Sequence, residues 1–151
     1  VRCVRELPGI KHTALLGALH RRREARRAGW DDALFVDDAG LIAEGPTWNI
    51  GLCVVGPGGA RVVWPRAAAL AGVTAALLRE RCGAGVEHAR VPVRRAALPE
   101  VGDGVVRAAF VTNAAVGVRP VAAVDDLEVD PEHPLIAELA ERYRALPGDP
   151  I

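Results

Sequence analysis

Lys11 is the only lysine in a chain of 151 residues whose nineteen basic side chains are otherwise all arginine. Arginine keeps its proton at any workable pH, whereas a desolvated lysine can become the neutral amine that forms a Schiff base with a carbonyl compound. A solitary lysine here is either a leftover surface charge or a covalent catalyst. Two further groups bear on that choice. Glu44 closes an apolar run and precedes Gly45, so it is either an ordinary hairpin-end carboxylate or an anion held beside a basic nitrogen. Gly72-Val73-Thr74 opens a helical pattern, where backbone N–H groups, a hydroxyl and the positive end of the helix dipole suit a phosphate dianion. The same triplet is also a plain helix start with Thr74 satisfying the first turn.

Half of the residues are apolar, which suits one domain over residues 1–151 that buries roughly 70% of its unfolded surface. Nineteen acidic residues balance the nineteen basic ones, so no whole-molecule field steers the chain toward nucleic acid or an anionic membrane. The dense run Arg21-Arg22-Arg23 with Arg26 and Arg27 lacks interleaved aromatics and reads as a solvated helix face. Cys3, Cys53 and Cys82 are too widely spaced for a disulfide framework or a zinc site. With no signal peptide and no bilayer-length apolar run, a soluble, cytoplasmic protein is expected. The sequence opens on strand-like residues without an initiator Met and reads as cut at the front.

The elements that must position these groups follow from periodicity. Val1 to Glu6 alternates as a strand, and a helix is predicted from His12 or Thr13 to Ala28, with Leu15, Leu16, Leu19 and Ala25 opposite the arginines and Gly29 as C-cap. Lys11 then sits at a strand-to-helix junction. Ala33–Val36 and Leu41–Ala43 form a hairpin ending at Glu44; Trp48–Val55 and Arg61–Trp64 form another across Gly56-Pro57-Gly58-Gly59. A second helix runs from the Gly72-Val73-Thr74 start to about Arg81. Val86–Val93 is predicted as strand, Arg95–Glu100 as a helical turn, Val105–Thr112 as strand, Asn113–Gly117 as loop, Pro120–Val124 as strand, and His133 or Pro134 to Leu146 as helix. Antiparallel hairpins interrupted by helices indicate an α+β fold whose sheet curls toward a barrel.

A lysine, a carboxylate and a phosphate cradle together are what a pyridoxal phosphate enzyme requires. Their order resembles the class IV, or fold type IV, pyridoxal-phosphate aminotransferase family. The matching segments are Ile10-Lys11, Gly29 to Asp37, Glu44-Gly45 with Asn49, Leu70 to Thr74, and Phe110 to Asn113 with Arg119-Pro120-Val121. The layout is shared by branched-chain and D-amino-acid aminotransferases and by 4-amino-4-deoxychorismate lyases. The resemblance implies the family's larger C-terminal domain, a curled, mostly antiparallel pseudo-barrel sheet flanked by helices, with the smaller N-terminal domain absent.

On that resemblance, Lys11 forms the Schiff base and shuttles the proton, Glu44 meets the pyridine nitrogen, and Asn49 shapes the turn after it. Gly72, Val73 and Thr74 hold the phosphate, and Thr112, Asn113 and Ala114 border the phosphate and substrate. The implied substrates are an amino acid and a 2-oxo acid, and the complete protein is expected to be a homodimer. Pro46, Gly51, Trp64 and Ala75 depart from the family's usual residues. Leu16 stands where branched-chain enzymes carry a tyrosine, and Asn113-Ala114 looks like the lyase version of a segment where aminotransferases often have a phosphate-binding threonine. Aminotransfer is the leading reading; lyase chemistry and a non-catalytic remnant are the alternatives. Without the other domain, the 151 residues are expected to hold the cofactor weakly, lack useful activity and self-associate.

Overall fold

The computed structural model describes residue 3, residues 7–93 and residues 99–148. Its centre is β1 (Asn49–Gly56), antiparallel to β2 (Gly59–Pro65) on one side and to β5 (Gly104–Asn113) on the other. The nearly unbroken apolar run of β1 explains that place, because a strand covered on both faces has no polar side to show. The two-residue strand β3 (His88–Ala89) pairs parallel to β2. β4 (Glu100–Val101) and β6 (Gly117–Val121) share the outer edge of β5, one at each end. β7 (Ala123–Val124) and β8 (Leu127–Glu128) form a separate small hairpin.

Cys53 pairs with Ala108 but Val54 pairs with Val106, so Arg107 is an extra residue in β5. A bulge of this kind bends its strand and raises the local twist. The result is a curled half-barrel sheet with three helices, an α+β fold as expected. One face of the sheet gathers Ile50, Leu52, Val54, Val63 and Val106. On the other, Cys53, Trp64, Ala108 and Phe110 pack against Ala75 and Leu78 of α2 (Val73–Arg81) and Ile136 and Leu139 of α3 (Pro134–Arg144). Burial of Cys53, with the negative charge of Asp130 beyond it, pushes its thiol pKa up to about 12, so it is an inert core thiol.

Several expectations are corrected. The helix after Lys11, α1, spans Leu16–Arg27 rather than starting at His12 or Thr13. Its buried face is not the leucine stripe: Leu16 is 84% exposed and Leu19 46%, while Ala18 is buried. Small alanines let the helix approach closely on the side where Arg22 finds a carboxylate, so the basic run is not uniformly solvated. Of the predicted 86–93 strand only His88–Ala89 pairs with β2; Pro92 instead bridges Leu41, with Ile42 N–H donating to the Val91 carbonyl (2.8 Å) and Val93 N–H to the Gly40 carbonyl (3.0 Å), so the run changes partner. Glu100 belongs to strand β4, paired with Val105 across a tight turn, and not to a helical turn; residues 95–98 lie outside the described set. β6 starts at Gly117 and ends at Val121, earlier than the predicted 120–124 strand. Of the predicted N-terminal strand only Cys3 is described, its N–H donating to the Val36 carbonyl (3.1 Å). The 33–44 hairpin forms through Phe35 N–H to Glu44 O (2.8 Å) and Ala43 N–H to Phe35 O (3.0 Å).

Candidate functional site

The hairpin delivers Glu44 to a corner where it pairs with Asn49, the first residue of β1, across Gly45-Pro46-Thr47-Trp48. Glu44 is 3% exposed, which rules out a surface carboxylate. Its Oε2 accepts the Leu70 N–H (3.1 Å), and Asn49 Nδ2 donates to the Leu70 carbonyl (2.8 Å). Both side chains therefore grip the backbone just ahead of α2.

The start of α2 lies against the same corner. Gly72 is its N-cap, with no side-chain cap, and a Cβ at Gly72 would stand 2.1 Å from Asn49 Oδ1. Val73 is largely exposed at the first helical position, whereas Thr74 is buried with its hydroxyl 3.5 Å from Tyr143 Oη. Across the sheet Asn49 pairs with Thr112. Thr112 is buried, and its Oγ1 has no partner among the described residues. A buried hydroxyl without a partner costs stability and is expected where a ligand completes the site.

Asn113 is differently employed. Its Oδ1 accepts the N–H groups of Ala115 and Val116 (2.9 Å each) and its Nδ2 donates to the Thr47 carbonyl (3.0 Å), so its amide shapes the loop that Ala114 occupies, and what it offers a ligand is backbone. Lys11 lies in an exposed irregular run with a turn from Leu7 to Ile10 and is five residues ahead of α1. The structure thus brings together Glu44, Asn49, Gly72, Thr112 and Asn113, with Val73 and Thr74 following Gly72, while Lys11 lies on a separate exposed segment ahead of α1. Leu16, five residues after Lys11, is exposed as well.

A clamp behind the corner escaped the sequence reading. Asp32 accepts from Arg22 Nε (3.1 Å to each oxygen), Arg22 Nη2 (2.9 Å), Trp48 Nε1 (2.9 Å) and the Ala33 N–H (2.8 Å). Arg22 Nη2 also donates to Thr47 Oγ1 (2.7 Å). Partial burial pushes the Asp32 carboxyl up, but the bonds from Arg22, Trp48 and Ala33 outweigh it and hold the group below the ordinary carboxylate range. The clamp joins α1, the helix that follows Lys11, to the turn that carries Glu44. The available signal was the stripe Ala18, Arg22, Ala25, where one arginine lies between two small residues at helical spacing.

The departures from the family pattern also find a physical account. A Cβ at Gly51 would stand 2.3 Å from Phe110 Cζ, so Phe110 fills the space that a side chain at this position of β1 would need. Trp64 packs edge-on against Phe110 (centroids 5.7 Å apart, 88°) in the cluster that also holds Ala75. Pro46 is fully buried in the corner. Three of the four departures are thus one mutually packed group.

The class defined by this fold and corner is confirmed by comparison. The model of the amino-transferase class IV family matches residues 4–124, and the chain belongs to that family. Its structure is similar to that of the branched-chain amino acid aminotransferase of Thermobaculum terrenum in its PLP form (TM-score 0.74, 26% identity, covering 92% of this chain and 45% of that one). It is also similar to a fold IV transaminase from Curtobacterium pusillum (0.71, 29%, 91% and 44%). A third likeness is to a putative 4-amino-4-deoxychorismate lyase from Legionella pneumophila (0.68, 27%, 83% and 45%). The chain therefore spans less than half the length of these relatives. No curated protein matches the sequence. Among the described residues no helix is long and apolar enough to cross a membrane, and no cluster of side chains is arranged to hold a metal ion.

Proposed function

We propose that this chain is the cofactor-binding half of a pyridoxal-phosphate aminotransferase that moves an amino group between an amino acid and a 2-oxo acid. The observation that carries the reading is the buried Glu44 beside an uncapped helix start and an unpartnered Thr112 hydroxyl. These residues fit the cofactor. Glu44 would hold a proton at the pyridine nitrogen, and the N–H groups of Val73 and Thr74 with the Thr112 hydroxyl would hold the phosphate. Gly72 leaves room for close approach, and Asn49, Asn113 and Ala114 frame the pocket. Bound there, the cofactor's protonated ring supplies a sink for the electron pair left when the substrate carbon loses its proton. Lys11 Nζ would hold the cofactor's aldehyde carbon and, once released, carry that proton. The same reading makes the complete protein a cytoplasmic homodimer whose remaining length supplies the rest of the substrate pocket.

The test is borohydride reduction of the full-length protein with bound cofactor, followed by peptide mapping. The phosphopyridoxyl mass is expected on the Lys11 peptide, and Lys11→Ala is expected to abolish both adduct and turnover, by about 10²–10⁴-fold or more. An adduct elsewhere, or none, overturns the assignment and leaves the remnant reading.

Ala114, which lacks a phosphate-binding hydroxyl, and the likeness to the Legionella protein favour a second reading, in which the same site expels pyruvate from aminodeoxychorismate. Pyruvate release without an amino acceptor would decide for the lyase.

A further inference from the structure

We propose that a cleft behind the loop joining β2 to α2 binds a small carboxylate with an apolar body. The cleft has a volume of about 240 Å³ and lies between that loop, the ends of β1 and β2, and α2. It is open for a reason visible in the sequence. The loop runs Arg66-Ala67-Ala68-Ala69-Leu70-Ala71, and its alanines are too small to fill the space between it and the sheet. Ala43, Ile50 and Ala75 line the inner part, so an apolar body meets apolar walls.

The polar groups at the cleft share one sign. Arg66 and Arg79 line it, and among the described residues no carboxylate does. The nearby Glu87 is engaged elsewhere, accepting from Arg61 Nε at 3.0 Å. Arg79 holds its guanidinium 5.2 Å above the Trp64 ring, which fixes the cation at the wall without neutralising it. Trp64 itself is 3% exposed, and its indole N–H has no acceptor among the described residues. His88 places Nδ1 2.8 Å from the Val86 carbonyl, so that nitrogen carries its hydrogen toward the backbone.

Guanidinium groups recognise carboxylate and phosphate alike through paired N–H donors. The apolar lining decides between them, because inorganic phosphate would leave those walls empty and a carboxylate on a ring or branched chain would fill them. This cleft adjoins the Glu44 corner, sharing Asn49, Leu70 and Gly72 with it, but is lined by neither Lys11 nor Glu44.

Benzoate, its neutral isostere benzamide, and inorganic phosphate are suitable probes. Each is titrated into the 15N-labelled full chain while the Trp64 indole N–H resonance, assigned by its loss in Trp64→Phe, is followed. Benzoate is expected to move that resonance saturably, with benzamide and phosphate at least tenfold weaker. Arg79→Gln, at the rim, should keep the wild-type amide spectrum yet bind benzoate at least tenfold more weakly, and Arg66→Gln should show a smaller loss. Lys11→Ala should bind like the wild type, so failure here is separate from failure of the aminotransferase reading. The proposal is overturned if benzoate gives no saturable shift, if its shifts centre on the Val73 and Thr74 amides, if phosphate binds as well as benzoate, or if both arginine variants bind it undiminished.

Discussion

The corner from Glu44 to Asn49 and the run from Leu7 to Leu15 carry the two groups with the most chemistry, and the chain holds them in opposite ways. Glu44 is buried, pinned to the Leu70 N–H, and clamped from behind by Asp32, Arg22 and Asn113. Lys11 is exposed, in a turn-rich run that precedes its helix, and has no hydrogen bond or ion pair among the described residues. On the proposed reading Glu44 keeps a ring nitrogen protonated, a task that gains from a fixed, dry setting. On the same reading Lys11 bonds and releases, a task that gains from freedom. A fixed, buried carboxylate and an exposed amine thereby divide the work between them.

The strongest way to break it is at the carboxylate. Glu44→Gln keeps an oxygen for the Leu70 N–H, so the corner should persist and the cofactor should still load in the full-length protein. A neutral amide no longer favours the protonated ring, and turnover should fall by about 10²-fold. Single-turnover rates matching the wild type would return Glu44 to a purely structural role.

Next in size is the clamp. Asp32→Ala leaves the half-buried Arg22 and the Trp48 N–H without their acceptor and should cost about 2–3 kcal/mol in urea unfolding. The pH dependence supplies its signature. Because the folded-state pKa of Asp32 is depressed, its contribution is complete above the ordinary Asp value of about 3.9 and is lost as pH falls through the lower folded value. The stability gap between wild type and Asp32→Asn should therefore close on acidification, and a gap that stays constant would mean the carboxylate's charge plays no part.

Gly51 sharpens the account of the repacked departures. Gly51→Ala would press a methyl into Phe110, which is fully buried and backed by Trp64, so about 1–3 kcal/mol should be lost. Pairing it with Phe110→Leu should recover part of the loss, since the two positions share one space. Additive losses would show that the strain lies elsewhere.

How much of this was legible beforehand depended on how local the cause was. β1, β2 and β5 were legible because long apolar runs between glycine-containing turns have few other fates, and α2 and α3 because their ends carry Gly72 and Pro134. Strand β4 was not, and β3 was read too long, since two-residue strands exist only through their partners. Glu44 and Gly72 stood out as candidates from their residue types and order, but the burial of Glu44 did not, because an isolated glutamate before a glycine looks the same on a surface. The clamp was hidden for the same reason: Arg22 and Asp32 are ten residues apart and meet only once α1 has chosen its face.

That choice of face gives the smallest predicted effect. Periodicity favoured an inward stripe of Leu16 and Leu19, whereas the fold turns Ala18 and Arg22 inward and leaves Leu16 84% and Leu19 46% exposed. The two arrangements differ sharply in what a leucine is worth. A buried leucine truncated to a small side chain costs about 2–5 kcal/mol, while an exposed one far from any special feature changes stability by no more than about 0.5 kcal/mol. Leu16→Ser and Leu19→Ser should each leave the urea midpoint of the chain almost unchanged. A loss of several kcal/mol in either would mean that α1 is rotated from the orientation described, and with it would fall the Arg22–Asp32 clamp and the tie between the lysine segment and the Glu44 corner.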